Sequence, residues 1–186
     1  ISGQDGSYLA EQLLAEGTEV HGLHHAVEGA PEHCPVGVVL HGGDLTDTAA
    51  VRRLLLDLAP DEVYNLAAVS SVARSWAEPE LTRIVNDTGA VALMDAALEV
   101  QVQAGRGVRL VQASSAEIFG VPGSAPQDEL TPIRPINPYG AAKAHAHTHA
   151  QAMRNQGLHA ATVILYNHES PRRPRQFVTR KITASA

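Results

Sequence analysis

Cysteine, aromatic residues and long apolar runs are all scarce in this chain of 186 residues. The single cysteine, Cys34, excludes an internal disulfide and favours a reducing compartment, for which we expect the cytoplasm. Aromatic residues make up only 4% of the sequence, so the core has to be built from Ala, Val and Leu. No apolar run approaches the roughly 20 residues of a membrane-spanning helix, and no signal peptide opens the sequence. We therefore expect no membrane association.

The chain also lacks an excess of positive charge. Its net charge is -6 and its pI is about 5.9, so the sequence gives no indication of a basic surface that would bind nucleic acid. Any phosphate site must therefore use backbone amides and a few placed arginines. His145 and His149 have the i, i+4 spacing of a metal-binding pair, but no carboxylate or cysteine lies near them in sequence. We therefore predict no metal site.

Segments typical of strands alternate with segments typical of helices along most of the chain. Leu9, Leu13 and Leu14 keep helical spacing in a segment that stops at Gly17, and a second helix runs from a cap at Thr46 or Asp47 to Leu58. This alternation predicts an α/β fold with a doubly wound parallel sheet of the Rossmann type. The predicted strands are residues 18–23, 36–40, 62–66, 108–113 and 160–165, and a long helix is predicted over 79–102.

The two ends of the sequence depart from this alternation. The chain opens without Met, directly on a glycine-containing turn, so we expect the first strand of the sheet to lie upstream. Residues 167–186 do not continue the strand–helix pattern. We therefore predict a dinucleotide-binding domain over residues 1–166 and a separate region over 167–186.

The most informative stretch runs from Gln112 to Lys143. Tyr139 and Lys143 lie four apart at the start of an Ala-rich helical run, so an ammonium sits one turn from a phenol and favours its ionised form. Ser115 and Glu117 follow an apolar run, where a parallel strand ends and open α/β sheets hold their ligands. The Tyr–Lys spacing alone is common on ordinary helices, and the strand-end residues make it informative.

Other segments suit a bound dinucleotide. Gly3 and Gly6 lie before a helix, where glycines let the backbone approach a pyrophosphate, although two glycines three apart are common. The predicted strand over residues 18–23 is followed by His24-His25, at the place where a dinucleotide fold holds the adenosine ribose. An acidic residue there suits NAD, and an arginine suits NADP. These histidines either contact a phosphate or face solvent. Asp44 either contacts adenine or begins a helix.

At this point the sequence resembles the extended short-chain dehydrogenase/reductase family. Within it, the segments NHESPRR and FVTRKI near the end of the chain resemble GDP-mannose 4,6-dehydratases most specifically. GQDGSYLAEQLL, GDLTD, DEVYNLAA and QASSAE extend the resemblance, in the same order, over nearly the whole chain.

The resemblance implies a 4,6-dehydratase, a hydro-lyase that acts on GDP-mannose with NADP, or NAD as the alternative, and forms a homodimer or homotetramer. It implies that residues 167–186 begin the substrate-binding region, most of which lies beyond this sequence. The implied catalytic residues are Ser115, Glu117, Tyr139 and Lys143, and the implied substrate contact is Asn167. The implied cofactor contacts are Gly3, Gln4, Asp5, Gly6, Asp44, Leu45, Leu66, Ala67, Ala68, Ser70, Tyr139, Lys143, His168 and Arg173.

Several positions depart from the family pattern and keep alternatives open. His24-His25 replaces a usual arginine pair, which bears on NADP preference and on contacts with a neighbouring subunit; Ala116 replaces a hydroxyl residue beside Glu117. The alternatives are a nucleotide-sugar epimerase or ketoreductase of the same fold, and a non-catalytic nucleotide-binding relative. A carboxylate at Glu117 argues against a plain epimerase, since an epimerase expels no water. The complete set of four catalytic residues argues against an inactive relative.

Overall fold

The computed structural model of the chain describes residues 1–25 and 33–185. Two compact units make up the chain, one from Ile1–Asp44 with Asn167–Ala186 and the other from Leu45–Tyr166. We call them the split unit and the central unit. The elements are α1 (Gln4–Ala15), β1 (His21–His24), β2 (Val39–Gly42), α2 (Thr48–Leu58), β3 (Glu62–Asn65), α3 (Val72–Ala77), α4 (Pro79–Arg83), a π-helix (Ile84–Gly89), α5 (Ala90–Ala104), β4 (Arg109–Ser115), a 3-10 helix (Ala116–Phe119), α6 (Pro138–Asn155), β5 (His159–Leu165) and α7 (Val178–Thr183).

The split unit contains α1, α7 and a parallel pair of strands. β1 pairs with β2 from His21 opposite Val39 to His24 opposite Gly42. α1 ends because Gly17 adopts a left-handed conformation (φ +82°), which glycine reaches without steric cost. Both strands begin three residues later than the sequence predicts.

The central unit contains a parallel three-stranded sheet in the order β3-β4-β5. β4 is the middle strand, with Glu62 opposite Arg109 on one side and Ser115 opposite Leu165 at the far end of the other. α5 and α6 both contact β4 and each other. Their buried faces are rich in alanine, as the scarcity of aromatic residues requires, and the buried alanines are Ala90, Ala96 and Ala97 in α5 and Ala142, Ala144, Ala146 and Ala150 in α6.

The predicted α/β class, with parallel strands joined by helices, is confirmed. Asp47 caps α2 by accepting a hydrogen bond from the Ala50 amide at 2.9 Å, as the sequence suggested. The predicted helix over 79–102 is instead divided into α4, the π-helix and α5, and α3 precedes it. Among the described residues, no helix is both long and apolar enough to cross a membrane.

Candidate functional site

The end of β4 positions two of the predicted catalytic residues, Ser115 and Glu117. Ser115 is the last residue of the strand and is buried. Its Oγ accepts a hydrogen bond from the Glu117 amide at 3.2 Å and so caps the 3-10 helix that carries Glu117. A hydroxyl that accepts through its oxygen can still donate its own hydrogen, so Ser115 suits a role as donor to a substrate oxygen.

Asn137 joins Glu117 to the helix that carries Tyr139 and Lys143. Its Oδ1 accepts a hydrogen bond from the Gly140 amide at 2.7 Å, which caps α6, and its Nδ2 donates to Glu117 Oε2 at 2.7 Å. A Cβ at Gly140 would lie 2.5 Å from the Glu117 carbonyl oxygen, so the first turn of α6 approaches this backbone closely. Sequence reasoning missed Asn137, although an asparagine before Pro138 is a typical helix cap.

Lys143 and Tyr139 are both buried, at 2% and 9% exposure. The Lys143 Nζ donates to the Ala113 carbonyl at 3.0 Å and lies 6.0 Å from the centre of the Tyr139 ring. Burial lowers the pKa of Lys143 from 10.5 to about 8. The amine therefore stays largely cationic at neutral pH and supplies positive charge one helical turn from the phenol.

Buried amides support Lys143 from the sheet. The Ala113 carbonyl also accepts from Gln112 Nε2 at 2.9 Å, and Gln112 Oε1 accepts from Asn65 Nδ2 at 2.8 Å. Gln112 and Asn65 are only 1% and 2% exposed. Two neighbouring strands and α6 are thus joined through side-chain amides and one carbonyl.

His147 contacts the central sheet from α6, a contact that the sequence did not predict. It lies one turn beyond Lys143 on α6, is buried, and its Nδ1 lies 3.0 Å from Ser114 Oγ. Burial, and secondarily the positive charge of Arg154, lower its pKa below the ordinary 6.5. Its four-residue spacing from Lys143 places it on the same side of α6, but its contact with Ser114 lies 33 residues away in the chain and depends on helix packing.

The segment after β3 carries four of the predicted cofactor contacts. Ala67 and Ser70 are exposed, whereas Leu66 and Ala68 are half-buried. The Ala67 amide donates to Asn65 Oδ1 at 3.3 Å, which ties the start of this segment to the strand. Leu45, another predicted contact, is buried within the same unit.

In the split unit, the predicted glycine turn is the start of α1. Gly3 is the cap residue in an extended conformation (φ -78°, ψ 171°), and Gln4, Asp5 and Gly6 form the first turn. A Cβ at Gly3 would meet no atom within 4 Å, whereas one at Gly6 would lie 3.1 Å from the Ile1 Cα and carbonyl oxygen. Close packing within the protein therefore explains the glycine at position 6 but not the one at position 3.

The segment 167–173 docks on that first turn. His168 Nε2 lies 2.8 Å from Asp5 Oδ1, and Gln4 Nε2 donates to the His168 carbonyl at 3.4 Å. Ser170 Oγ also donates to Gln4 Oε1 at 2.7 Å. The structure thus brings together predicted cofactor contacts that lie more than 160 residues apart in the chain.

The two arginines of this segment have different surroundings. Arg172 bonds Ser7 Oγ at 3.0 Å and Glu11 Oε1 at 2.5 Å, and its guanidinium lies 4.0 Å from the centre of the Tyr8 ring. The hydrogen bond to Glu11 is the main cause of its raised pKa. Arg173, the predicted cofactor contact, lies 3.7 Å from the centre of the Phe177 ring and 3.5 Å from Glu169. Asn167, the predicted substrate contact, is exposed.

The histidines in place of the usual arginine pair differ as well. His25 Nε2 forms an ion pair with Asp44 Oδ2 at 2.9 Å, so the residue predicted to contact adenine is bonded to the histidine. His24 Nδ1 is buried and has no hydrogen-bond partner among residues 1–25 and 33–185. Asp44 is the last residue of the first part of the split unit, and Leu45 is the first residue of the central unit.

Carboxylates that are distant in sequence lie beside His145 and His149 in the structure. His145 pairs with Asp87 at 2.5 Å and His149 with Asp95 at 2.8 Å. Each histidine has its own carboxylate partner, so the two ion pairs are separate. The carboxylates lie 58 and 54 residues earlier in the chain. Within the described part of the chain, no three His, Cys, Asp or Glu residues form a group that could hold a metal ion.

Comparison with known proteins identifies the family. A family model described as GDP-mannose 4,6 dehydratase matches residues 1–186. The chain belongs to this family. It is 45% identical to GDP-mannose 4,6 dehydratase 1 of Arabidopsis thaliana over 98% of this chain and 54% of the relative. It is 40% identical to GDP-mannose 4,6 dehydratase of Homo sapiens over 100% of this chain and 53% of that protein. The chain thus spans about half the length of these dehydratases.

Solved structures agree with the assigned fold. A Thermus thermophilus UDP-glucose 4-epimerase in complex with NAD is 33% identical, with a TM-score of 0.81 over 94% of this chain and 55% of that one. DesIV, a dTDP-glucose 4,6-dehydratase from Streptomyces venezuelae with NAD bound, is 26% identical, with a TM-score of 0.82 over 99% of this chain and 59% of that one. Both an epimerase and a dehydratase therefore share this architecture.

Proposed function

We propose that the full-length protein is a GDP-mannose 4,6-dehydratase, a hydro-lyase that forms GDP-4-keto-6-deoxymannose. The observation that carries this proposal is the position of the Glu117 carboxylate. It follows Ser115 at the end of β4 and accepts a hydrogen bond from Asn137, the cap of the helix that carries Tyr139 and Lys143. A dehydratase needs a carboxylate of this kind beside the groups that oxidise the alcohol, because it must also remove a carbon-bound proton.

The chain's residues fit a nicotinamide dinucleotide. α1 is a helix of 12 residues whose cap, Gly3, leaves open space, and helix N-termini favour the negative charge of a pyrophosphate. In the central unit, Ala67 and Ser70 are small and exposed beyond β3. When bound, the nicotinamide accepts a hydride from the fourth carbon of the sugar and returns one to the sixth carbon.

In the proposed first step, Tyr139 takes the proton of the sugar's 4-hydroxyl group. Lys143 stabilises the ionised phenol by its charge, and its own burial keeps that charge poorly screened. The Ser115 hydroxyl donates a hydrogen bond to the sugar's 4-oxygen as it becomes a carbonyl. Asn167 binds the sugar in this proposal.

In the proposed second step, Glu117 acts at the fifth carbon, whose hydrogen is acidified by the adjacent ketone. Glu117 removes that proton and passes it to the 6-hydroxyl, which leaves as water while a double bond forms between the fifth and sixth carbons. The hydride returned to the sixth carbon and a proton from solvent added to the fifth carbon then saturate that bond. The hydrogen bond from Asn137 fixes the orientation of the carboxylate for this transfer. The protein thereby completes a dehydration with no net oxidation.

For the cofactor we propose NADP, which the resemblance to the family implies. NAD is the alternative, because His24-His25 stands where the family usually has an arginine pair and His25 is already paired with Asp44. The free thiol of Cys34 supports a reducing, cytoplasmic setting. We further propose that residues 1–166 bind the dinucleotide, that 167–186 begin the substrate-binding region, and that the protein forms a dimer or tetramer. A nucleotide-sugar epimerase is the second candidate, because the Thermus epimerase shares the architecture.

The substitution Glu117→Gln tests this assignment in the full-length protein. It should spare cofactor binding and the oxidation at the fourth carbon but lower dehydration by about 10²–10⁴-fold, the usual contribution of general acid–base catalysis. Tyr139→Phe should instead stop the oxidation itself. NMR of GDP-mannose turnover in deuterated water measures the formation of GDP-4-keto-6-deoxymannose. In the wild type it should also show deuterium on the fifth carbon of the product.

Glu129→Gln is the matched control, because Glu129 is an exposed carboxylate in the loop before α6. It should turn over GDP-mannose like the wild type. Epimerisation of the nucleotide sugar without water loss, together with an unimpaired Glu117→Gln variant, would replace the dehydratase proposal with the epimerase one.

A further inference from the structure

We propose that Asn86, in the π-helix, positions the backbone of residues 66–71 for the nicotinamide cofactor. This inference rests on the proposed function. Asn86 is 1% exposed and belongs to neither the catalytic set nor the predicted contacts. Its Oδ1 accepts a hydrogen bond from the Val69 amide at 2.8 Å, and its Nδ2 donates to the Val69 carbonyl at 3.0 Å. One side chain thus satisfies both polar groups of one backbone residue.

Two bonds to one residue fix its orientation, and Val69 lies between the predicted contacts Ala68 and Ser70. The segment 66–71 has no regular secondary structure, so its backbone polar groups need partners from elsewhere. The Asn65 side chain holds the start of the segment at Ala67, and the Ser71 hydroxyl caps α3 at its end. Asn86 holds the middle.

The π-helix explains how Asn86 reaches this segment. A π-turn places one extra residue in a helix and shifts the direction of its side chains, and such turns are frequent at functional sites. Asn86 lies in the π-helix between α4 and α5 and points inward. An amide in this buried place is costly unless its hydrogen bonds are made, and the Val69 backbone provides both.

The same π-helix contacts two other parts of the central unit. A Cβ at Gly89, its last residue, would lie 2.9 Å from the Leu45 carbonyl oxygen, so the helix packs directly on a predicted cofactor contact. Asp87 forms an ion pair with His145 of α6, the helix of Tyr139 and Lys143. One short helical segment therefore contacts the predicted cofactor segments and the helix of the catalytic pair.

The experiment compares Asn86→Ala with Thr82→Val in the full-length protein. Thr82 is an equally buried polar residue whose hydroxyl donates to the Glu78 carbonyl at 2.9 Å, so it matches Asn86 in burial while its hydrogen bond lies at the start of α4. Dissociation constants for NADP and NAD are measured by calorimetry. Hydrogen exchange of the Val69 amide reports the segment directly, without activity.

We expect Asn86→Ala to deprotect the Val69 amide and to weaken dinucleotide binding by roughly tenfold, the effect of one or two lost hydrogen bonds. Thr82→Val should change neither. Asn86→Asp keeps an acceptor for the Val69 amide and should restore part of both the protection and the affinity.

Unchanged affinity in Asn86→Ala would overturn the inference while leaving the proposed function intact. Equal losses of affinity in Asn86→Ala and Thr82→Val would also overturn it, because the effect would then be one of general stability. If the wild type itself binds neither dinucleotide, the proposed cofactor chemistry fails, and the inference fails with it.

Discussion

Individual buried amides determine where the Lys143 amine is held. Its acceptor, the Ala113 carbonyl, also bonds Gln112, which in turn bonds Asn65. Each of these groups lies in the interior, where an unmade hydrogen bond is costly. The position of the amine therefore depends on residues of two strands that are not themselves expected to contact substrate.

We predict that Gln112→Leu lowers the free energy of unfolding by about 1–3 kcal/mol, because it leaves the Asn65 amide buried without its partner. The double variant Asn65→Leu/Gln112→Leu should lose less than the sum of the two single losses, since it removes both partners. Chemical denaturation of all four proteins measures this coupling. Strictly additive losses would show that the two amides act independently.

His147 predicts a pH dependence of stability. Its pKa is lowered in the folded protein, mainly by burial, so the unfolded chain takes up its proton more readily. Stability therefore falls as pH decreases through about 6.5, where the unfolded imidazole becomes charged, and is fully present above that value. Denaturation midpoints between pH 5 and pH 8 should show a flatter curve for His147→Gln than for the wild type.

His159→Gln serves as the control, because His159 is an exposed histidine on β5. Its curve should follow that of the wild type. Identical slopes for wild type and His147→Gln would exclude His147 as a source of the dependence.

Residue spacing predicted some of this site and could not predict the rest. The positions of Ser115 and Glu117 at a strand end and of Tyr139 and Lys143 on one helix follow from short-range patterns, and the structure places all four accordingly. Asn137 has a local signal as a cap. Gln112 and His147 do not, because their partners Asn65 and Ser114 lie 47 and 33 residues away and depend on strand register and helix packing.

At the scale of elements, α1 offers its N-terminus as the place for a pyrophosphate. We predict that Gly3→Val weakens binding of both NADP and NAD by roughly tenfold or more, because the added side chain would occupy the space that Gly3 leaves open. Gly3 has an ordinary extended conformation, so the substitution should leave the protein folded. Calorimetric titration with the two dinucleotides measures the loss and their relative affinities.

Gly107→Val is the matched control, because a Cβ at Gly107 also meets no atom within 4 Å. Gly6→Val would be harder to interpret, since its side chain would press on Ile1. Wild-type affinity in a folded Gly3→Val protein would place the dinucleotide elsewhere.

Periodicity predicts the strands and most helices because each buries one face. It fails between residues 79 and 102, where apolar spacing indicates one continuous helix and the structure inserts the π-helix. The insertion accompanies the bonds between Asn86 and Val69, which lie 17 residues apart. A tertiary contact of this kind leaves no periodic trace in the sequence.

At the scale of the whole molecule, Arg172 ties the later part of the split unit to its beginning. We predict that Arg172→Ala speeds hydrogen exchange in residues 167–177, because it removes the bonds to Ser7 and Glu11 and the contact with Tyr8. Exchange in β4, within the central unit, should not change. Mass spectrometry of the corresponding peptides measures both regions.

Arg175→Ala is the control, since Arg175 is exposed in the same segment. It should exchange like the wild type. If Arg172→Ala leaves residues 167–177 equally protected, the other contacts of Gln4 and Asp5 are sufficient to hold them.

The split unit has a consequence for synthesis on the ribosome. Residues 45–166 emerge as one uninterrupted stretch, so the central unit can fold as soon as they leave the exit tunnel. The nascent α1 must wait for Ser170 and Arg172, which bond it from more than 160 residues downstream. Translation therefore delivers the partners of the first helix only after the whole central unit has been synthesised.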